Sequence, residues 1–194
     1  MRIFLDVGAN TGQTLAAVLG LGFDRIHCFE PASVNWPALE ALADETTRIE
    51  KFGLWSRTER AEVFDPGTKG AGMWLKDKRR TDRAITREVC EFRRASDWFR
   101  ENIPVGSRVY LKLNCEGGEC DILDDLLDSG EFAKVSYAMV DFDARKIAAV
   151  RHREPEVRRR LEAYPPPRVM FQRAAMVGDT HRDRIRHWLS LLPA

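Results

Sequence analysis

Residues 3–14 read Ile-Phe-Leu-Asp-Val-Gly-Ala-Asn-Thr-Gly-Gln-Thr. A short apolar run ends in Asp6, glycines follow at 8 and 12, and a helix-like pattern begins at Gln13. That is the layout of a strand whose carboxyl end binds a nucleotide-like ligand. Gly8 and Gly12 lack a Cβ, which lets the backbone turn tightly and come close to the ligand. Asn10 stands where the dinucleotide fingerprint has its second glycine. A glycine-rich strand-to-helix turn also occurs in α/β proteins that bind nothing there, so the rest of the chain must decide.

Outward from this stretch, apolar strands alternate with helical patterns. Arg2–Asp6 reads as a strand and Thr11–Leu21 as a helix ending near Gly22. Arg25–Glu30 is a second strand, stopped by Pro31, which cannot continue a central ladder. Val34–Asp44 is helical, with Pro37 suited to its first turn. Arg48–Trp55 and Ala61–Asp65 read as strands about a turn at Arg57–Arg60. Pro66–Asp82 holds Gly67, Gly70 and Gly72 and a basic run, and reads as a loop beside the site. Glu88–Arg94 is strand-like, and Ser96 has the chemistry of an N-cap for a helix through Asn102. Val109–Cys115 is a strong strand, Gly117 and Gly118 a turn, Asp121–Leu127 a helix and Val135–Phe142 a further strand. A helix over Ile147–Tyr164 and a strand at Val169–Ala174 follow. Thr180–Leu189 reads in part as strand, although Ile185, Leu189 and Leu192 also fit a helical period. Such alternation predicts an α/β fold: one doubly wound, Rossmann-like, mostly parallel sheet with helices on both faces.

The 194 residues suit one domain, residues 1–194, able to bury a sizeable core. With 44% hydrophobic and 31% charged residues the chain fits an ordinary soluble globular protein. No apolar run approaches the roughly 20 residues that span a bilayer. No basic segment leads into an apolar one at the start, so no secretory signal is expected and a cytoplasmic location is. Cys28, Cys90 and Cys115 fall in strand-like runs and read as buried thiols; the spacing of Cys115 and Cys120, with no His at ligand distance, argues against a metal site. Net charge is +1, unevenly spread: from Ala144 onward there are 12 Lys+Arg against 5 Asp+Glu. A basic tail can attract nucleic acid. Here Glu154, Glu156 and Glu162 interleave with Arg151, Arg153, Arg158, Arg159 and Arg160, and helical pairing accounts for the pattern without a partner.

Ligands of a doubly wound sheet bind at the carboxyl ends of its strands, near the switch in strand order. Glu30 ends the second strand, 24 positions after Asp6. An acidic residue about 20 residues past the loop accepts hydrogen bonds from ribose hydroxyls, for which a carboxylate has several lone pairs. Another strand ends in Lys112-Leu113-Asn114-Cys115-Glu116-Gly117-Gly118-Glu119. If the strand extends that far, alternation puts Lys112, Asn114 and Glu116 on one side. Polar groups there are costly to bury without partners, so a ligand is their natural neighbour. The next strand ends in Asp141 and Asp143.

With these blocks the sequence resembles a class I S-adenosylmethionine-dependent methyltransferase, and within that class the FkbM family, from about Ile3 to Asp143. Asp6-Val7-Gly8-Ala9-Asn10-Thr11-Gly12 is similar to the family's first motif, Phe29-Glu30-Pro31 to the end of strand two, and Gly53-Leu54-Trp55-Ser56 with Glu62-Val63-Phe64 to the next block. Leu111–Glu119 resembles the block usually read Lys-Ile-Asp-Val-Glu-Gly-Ala-Glu. The resemblance implies that Asp6, Gly8, Asn10 and Gly12 shape the cofactor pocket and Glu30 holds the ribose. It implies that Lys112, Asn114 and Glu116 lie by the acceptor, and that a hydroxyl of a sugar, glycolipid or polyketide-like molecule is methylated.

Two departures matter. Asn114 stands at the family's Asp, and an amide is no general base; Glu116 or Asp141 could take that role, with Asp143 behind them. The first strand starts at residue 2, so any lid must come from within, and Pro66–Asp82 is the candidate. Three rivals follow: a nicotinamide-dependent dehydrogenase, a non-catalytic cofactor binder, and a nucleic-acid methyltransferase. Asn114-Cys115-Glu116-Gly117 lacks the Asn/Asp-Pro-Pro-aromatic signature of the last.

Overall fold

The computed structural model describes residues 1–68, 70–74 and 84–193. In chain order the elements are β1 (Arg2–Val7), α1 (Gln13–Val18), β2 (Arg25–Phe29), α2 (Trp36–Leu42), β3 (Thr47–Glu50), β4 (Gly53–Trp55), β5 (Glu59–Phe64), β6 (Arg87–Arg94), α3 (Ala95–Asn102) and β7 (Arg108–Leu113). Then come α4 (Glu119–Asp128), β8 (Val135–Val140), α5 (Glu154–Leu161), β9 (Val169–Phe171), α6 (Gln172–Ala175) and α7 (His181–Ser190).

Six strands form a parallel sheet in the order β3-β2-β1-β7-β8-β9. The direction of winding reverses between β1 and β7, which makes the gap beyond their carboxyl ends the switch point of the fold. Period-two alternation sorts the core. Ile3, Leu5 and Val7 pack with Val109, Leu111 and Leu113 against α3, α4 and α5. Phe4 and Tyr110 face the other way, with Leu15, Val18, Ile185 and Trp188 of α1 and α7. The α/β architecture with helices on both faces is the one expected.

A second sheet, β4-β6-β5, stands beside the first, with β5 antiparallel to β6. The expected single strand over Arg48–Trp55 is divided to make it: β3 pairs with β2, while β4 leaves to pair with β6. Gly53 permits this packing, because a Cβ there would lie 2.4 Å from the Phe92 ring. The loop expected at Pro66–Asp82 lies outside the described residues at 69 and 75–82; within the described part, Gly72 bridges to Phe64.

Other boundaries moved for identifiable reasons. Ser96 does not cap α3; it sits inside the first turn, and Asp125 of α4 accepts from its N–H at 2.7 Å, so the cap is tertiary. The helix expected over Ile147–Tyr164 is confined to α5, with 3₁₀ turns before it at Ala144–Lys146 and Arg151–Arg153. Pro155, which has no N–H to give, fits the first turn of α5 and would break a longer helix. The strand expected through Ala174 ends at Phe171. Beyond it, Thr180 and Asp183 form a capping box that starts α7, and Ile185 and Trp188 bury one helical face. The 3.6 period was the correct one of the two readings there. The arginines of α5 pair with carboxylates, as Arg158 with Glu154 at 2.8 Å and Arg160 with Asp124 at 2.5 Å. No helix among the described residues is long and apolar enough to cross a membrane.

Candidate functional site

A cleft of about 360 Å³ opens beyond the carboxyl ends of β1, β2, β7 and β8. Its floor is the loop after β1, its walls carry Glu30, Lys112, Asn114, Glu116 and Asp141, and the second sheet contributes Leu54, Val63 and Phe92. A volume of this size lies within the range of small-molecule sites.

The loop after β1 is fixed by its neighbours. The N–H groups of Gly8 and Ala9 donate to the Phe29 carbonyl at 3.2 and 3.0 Å, and the Asn114 N–H donates to the Val7 carbonyl at 3.1 Å. Gly8 has φ +82°, and a Cβ on it would fall 1.9 Å from the Asn114 carbonyl oxygen. Only glycine lets the loop and the end of β7 approach this closely. Asn10 takes φ +49°, a conformation that asparagine tolerates better than most residues. Gly12, at φ +88°, precedes α1 and packs near Leu39 and Leu42 rather than lining the cleft.

Glu30 is 6% exposed at the end of β2. One carboxylate oxygen accepts from the Asn10 N–H at 2.8 Å and the other from the Ala32 N–H at 2.9 Å. Desolvation by burial raises its pKa above the ordinary 4.5, against the lowering effect of those bonds. The side chain thus joins the end of β2 to the loop after β1 and keeps lone pairs for a ligand.

Asp6 and Lys112 are register partners in β1 and β7, both directed to the α1 face. The Lys112 ammonium lies 2.9 Å from Asp6 Oδ1 and donates to the Gly8 carbonyl at 2.9 Å. Asp6 is wholly buried beneath the cleft and does not line it. The charge of Lys112 is therefore turned into the floor, where it holds the glycine loop.

The strand expected over Val109–Cys115 ends at Leu113 instead, so Asn114 and Glu116 are loop residues and Cys115 lies in the loop, half-buried. The loop is tied by Glu119, whose buried carboxylate accepts from the N–H groups of Cys115 at 3.0 Å and Gly117 at 3.1 Å. Glu116 takes φ +58°, uncommon for its type, and lines the cleft. Asn114 donates its Nδ2 to Asp141 Oδ2 at 3.2 Å. Asp141 is 7% exposed; its pKa is raised from 3.8 first by desolvation and next by Asp143. Arg145 approaches Asp141 Oδ1 to 3.6 Å, and Lys146 pairs with Asp143.

The cleft thus brings together Gly8, Asn10, Glu30, Lys112, Asn114, Glu116 and Asp141, and leaves Asp6 and Gly12 beneath and beside it. Sequence reasoning missed His181, which lines the cleft from α7 with Nε2 2.9 Å from Thr14 Oγ1. The Thr180-x-x-Asp183 spacing was the signal that could have placed it at a helix start. It missed equally the wall supplied by the second sheet.

No family model, no curated protein and no solved structure matches the chain.

Proposed function

We propose that the protein is an S-adenosylmethionine-dependent methyltransferase acting on a hydroxyl of a sugar, glycolipid or polyketide-like small molecule. The observation that carries this is Glu30: a buried carboxylate at the end of β2, bonded to the loop after β1 and lining a cleft at the switch point. The blocks at Asp6–Gly12 and Leu111–Glu119, which resemble the FkbM family, favour this cofactor over other ribose-bearing ligands.

The residues fit such a group. The loop at Gly8 has no room for a Cβ and approaches as bare backbone. Glu30 can accept from vicinal ribose hydroxyls, and Gly8 and Asn10 flank it. S-adenosylmethionine, when bound, supplies an electrophilic methyl group on a sulfonium. Asp141 is the chain's best-placed proton acceptor for a hydroxyl, since burial has raised its proton affinity toward the working range of a general base. Asn114 holds Asp141 Oδ2 through its amide and serves as a positioning residue. Lys112 anchors the loop rather than touching an acceptor, and Glu116 adds negative charge at the same end.

A second reading, a nicotinamide dinucleotide enzyme, has one observation in its favour: β3-β2-β1-β7-β8-β9 repeats the dinucleotide order when the sheet's strands are counted along the chain. Thermal unfolding with each ligand separates the two. A ligand at a hundred times its Kd stabilises by about 2.7 kcal/mol. S-adenosylmethionine and S-adenosylhomocysteine are expected to raise the Tm and NAD to leave it unchanged. The opposite pattern overturns the proposal.

A further inference from the structure

The methyltransferase reading assigns no role to the C-terminal helix, yet one of its residues stands in the cleft. His181 is the first residue of α7, held by the capping box between Thr180 and Asp183, with hydrogen bonds of 2.6 to 3.1 Å. Below it, Ile185 and Trp188 are wholly buried against the α1 face, and the Trp188 ring meets that of Phe4 edge-on at 6.1 Å. The position of His181 is therefore set by the core. Its Nε2 lies 2.9 Å from Oγ1 of Thr14, a buried residue in the first turn of α1. Thr14, Gln13 and His181 together form the corner of the cleft next to the glycine loop.

The charges elsewhere in the cleft give this corner a particular chemistry. Glu30, Glu116, Asp141 and Asp143 line the β2, β7 and β8 sides. The two lysines that also line it are matched: Lys112 to Asp6 and the Gly8 carbonyl, Lys146 to Asp143. Lys146 is paired with Asp143 and Arg145 lies 3.6 Å from Asp141, so the cations on the β8 side are engaged by carboxylates. At the corner an anionic ligand group meets a hydroxyl, an amide and an imidazole, all able to donate hydrogen bonds. When Nε2 carries its proton, the imidazole donates to Thr14 and the threonine O–H has its own proton to give to a ligand.

We infer that Thr14, its hydroxyl oriented by His181, binds the carboxylate of the amino-acid tail of the cofactor. This rests on the methyltransferase reading and extends it to the last helix, so that the binding site is complete only when α7 is docked. His181 is then a determinant of cofactor choice: it favours adenosyl ligands that carry an amino-acid tail over those that end at the thioether.

Calorimetry on the full chain tests this with two probes. S-adenosylhomocysteine carries the tail; 5′-methylthioadenosine shares the adenosine and thioether and lacks it. His181→Ala is expected to weaken S-adenosylhomocysteine about tenfold, because the Thr14 hydroxyl loses the partner that turns its proton to the carboxylate, and to change 5′-methylthioadenosine less than about twofold. His181→Gln, which can keep a hydrogen bond to Thr14, is expected to retain most of the affinity and guards against a misfolded alanine variant. Equal weakening of both probes makes His181 a structural residue and overturns the inference, as does unchanged affinity for both. A parent protein that binds neither probe overturns the methyltransferase reading itself, and the inference falls with it.

Discussion

Replacing Lys112 by Met leaves the Asp6 carboxylate alone in the interior. Lys112 is 4% exposed and Asp6 0%, so water replaces neither partner. Asp6 has no hydrogen-bond donor among the described residues, and the Lys112 ammonium 2.9 Å away is its only cation in salt-bridge range there. Breaking a buried pair from one side costs about 3–5 kcal/mol. The bond to the Gly8 carbonyl is lost in the same step, so the true value lies toward the upper end. A chain of 194 residues loses about 2–4 °C of Tm per kcal/mol, so the fall is roughly 6–20 °C. Urea unfolding of the parent, Lys112→Met and the double variant Asp6→Val/Lys112→Met measures it. The double variant should recover at least half of the loss, because an apolar pair of similar volume carries no buried charge. A single-variant loss under about 1 kcal/mol, the average for an arbitrary substitution, would refute the account of the floor given above. Equal losses in the single and double variants would do the same.

Three further outcomes are expected. Gly8→Ala should lower the affinity for S-adenosylhomocysteine by more than about tenfold in calorimetry, since a left-handed φ costs a Cβ-bearing residue about 1–2 kcal/mol and the new Cβ must push the Asn114 carbonyl away. Glu30 makes binding pH-dependent. Its pKa is raised above 4.5, so the folded protein holds that proton more tightly than the unfolded chain, and its contribution to stability is full below 4.5 and lost as pH rises through the folded value. Ribose binding has the opposite sign: affinity should fall as pH drops through the raised value and level off above it, and a Glu30→Gln protein should lose that dependence. Asp141→Asn should reduce turnover about 10²–10⁴-fold on any hydroxyl the parent methylates while cofactor affinity stays within about twofold; a parental rate would exclude Asp141 as the base.

The parallel sheet was legible because its strands are short apolar runs ended by Gly, Pro or acidic residues, and because Asp6–Gly12 and Glu30 are local features. The residues at the strand ends were legible for the same reason. What escaped was set by contacts distant in sequence. The departure of β4 depends on Phe92 packing over Gly53, about forty residues on, and no window of sequence contains both. Ser96 has the chemistry of a cap, but Asp125 took the position from another helix. The pairing of Lys112 with Asp6 follows from the register of β1 against β7, which no stretch of either strand contains. His181 escaped because two periods fit its segment, and the capping box of Thr180 and Asp183 is what sets the helix start at it.

The division of the chain between residues 50 and 53 has a consequence for how such a protein can change. The loop after β1 and Glu30 belong to the parallel sheet, whereas Leu54, Val63 and Phe92 belong to a sheet that shares no strand with it. One wall of the cleft can therefore be rewritten by substitutions that leave the backbone of the other in place. Val63 and Phe92 pack with Trp55 and Cys90 in a core of the smaller sheet's own, and Phe92 is further bound by its packing over Gly53. Selection for a new partner molecule can act on the smaller sheet, and the glycine loop need not take part.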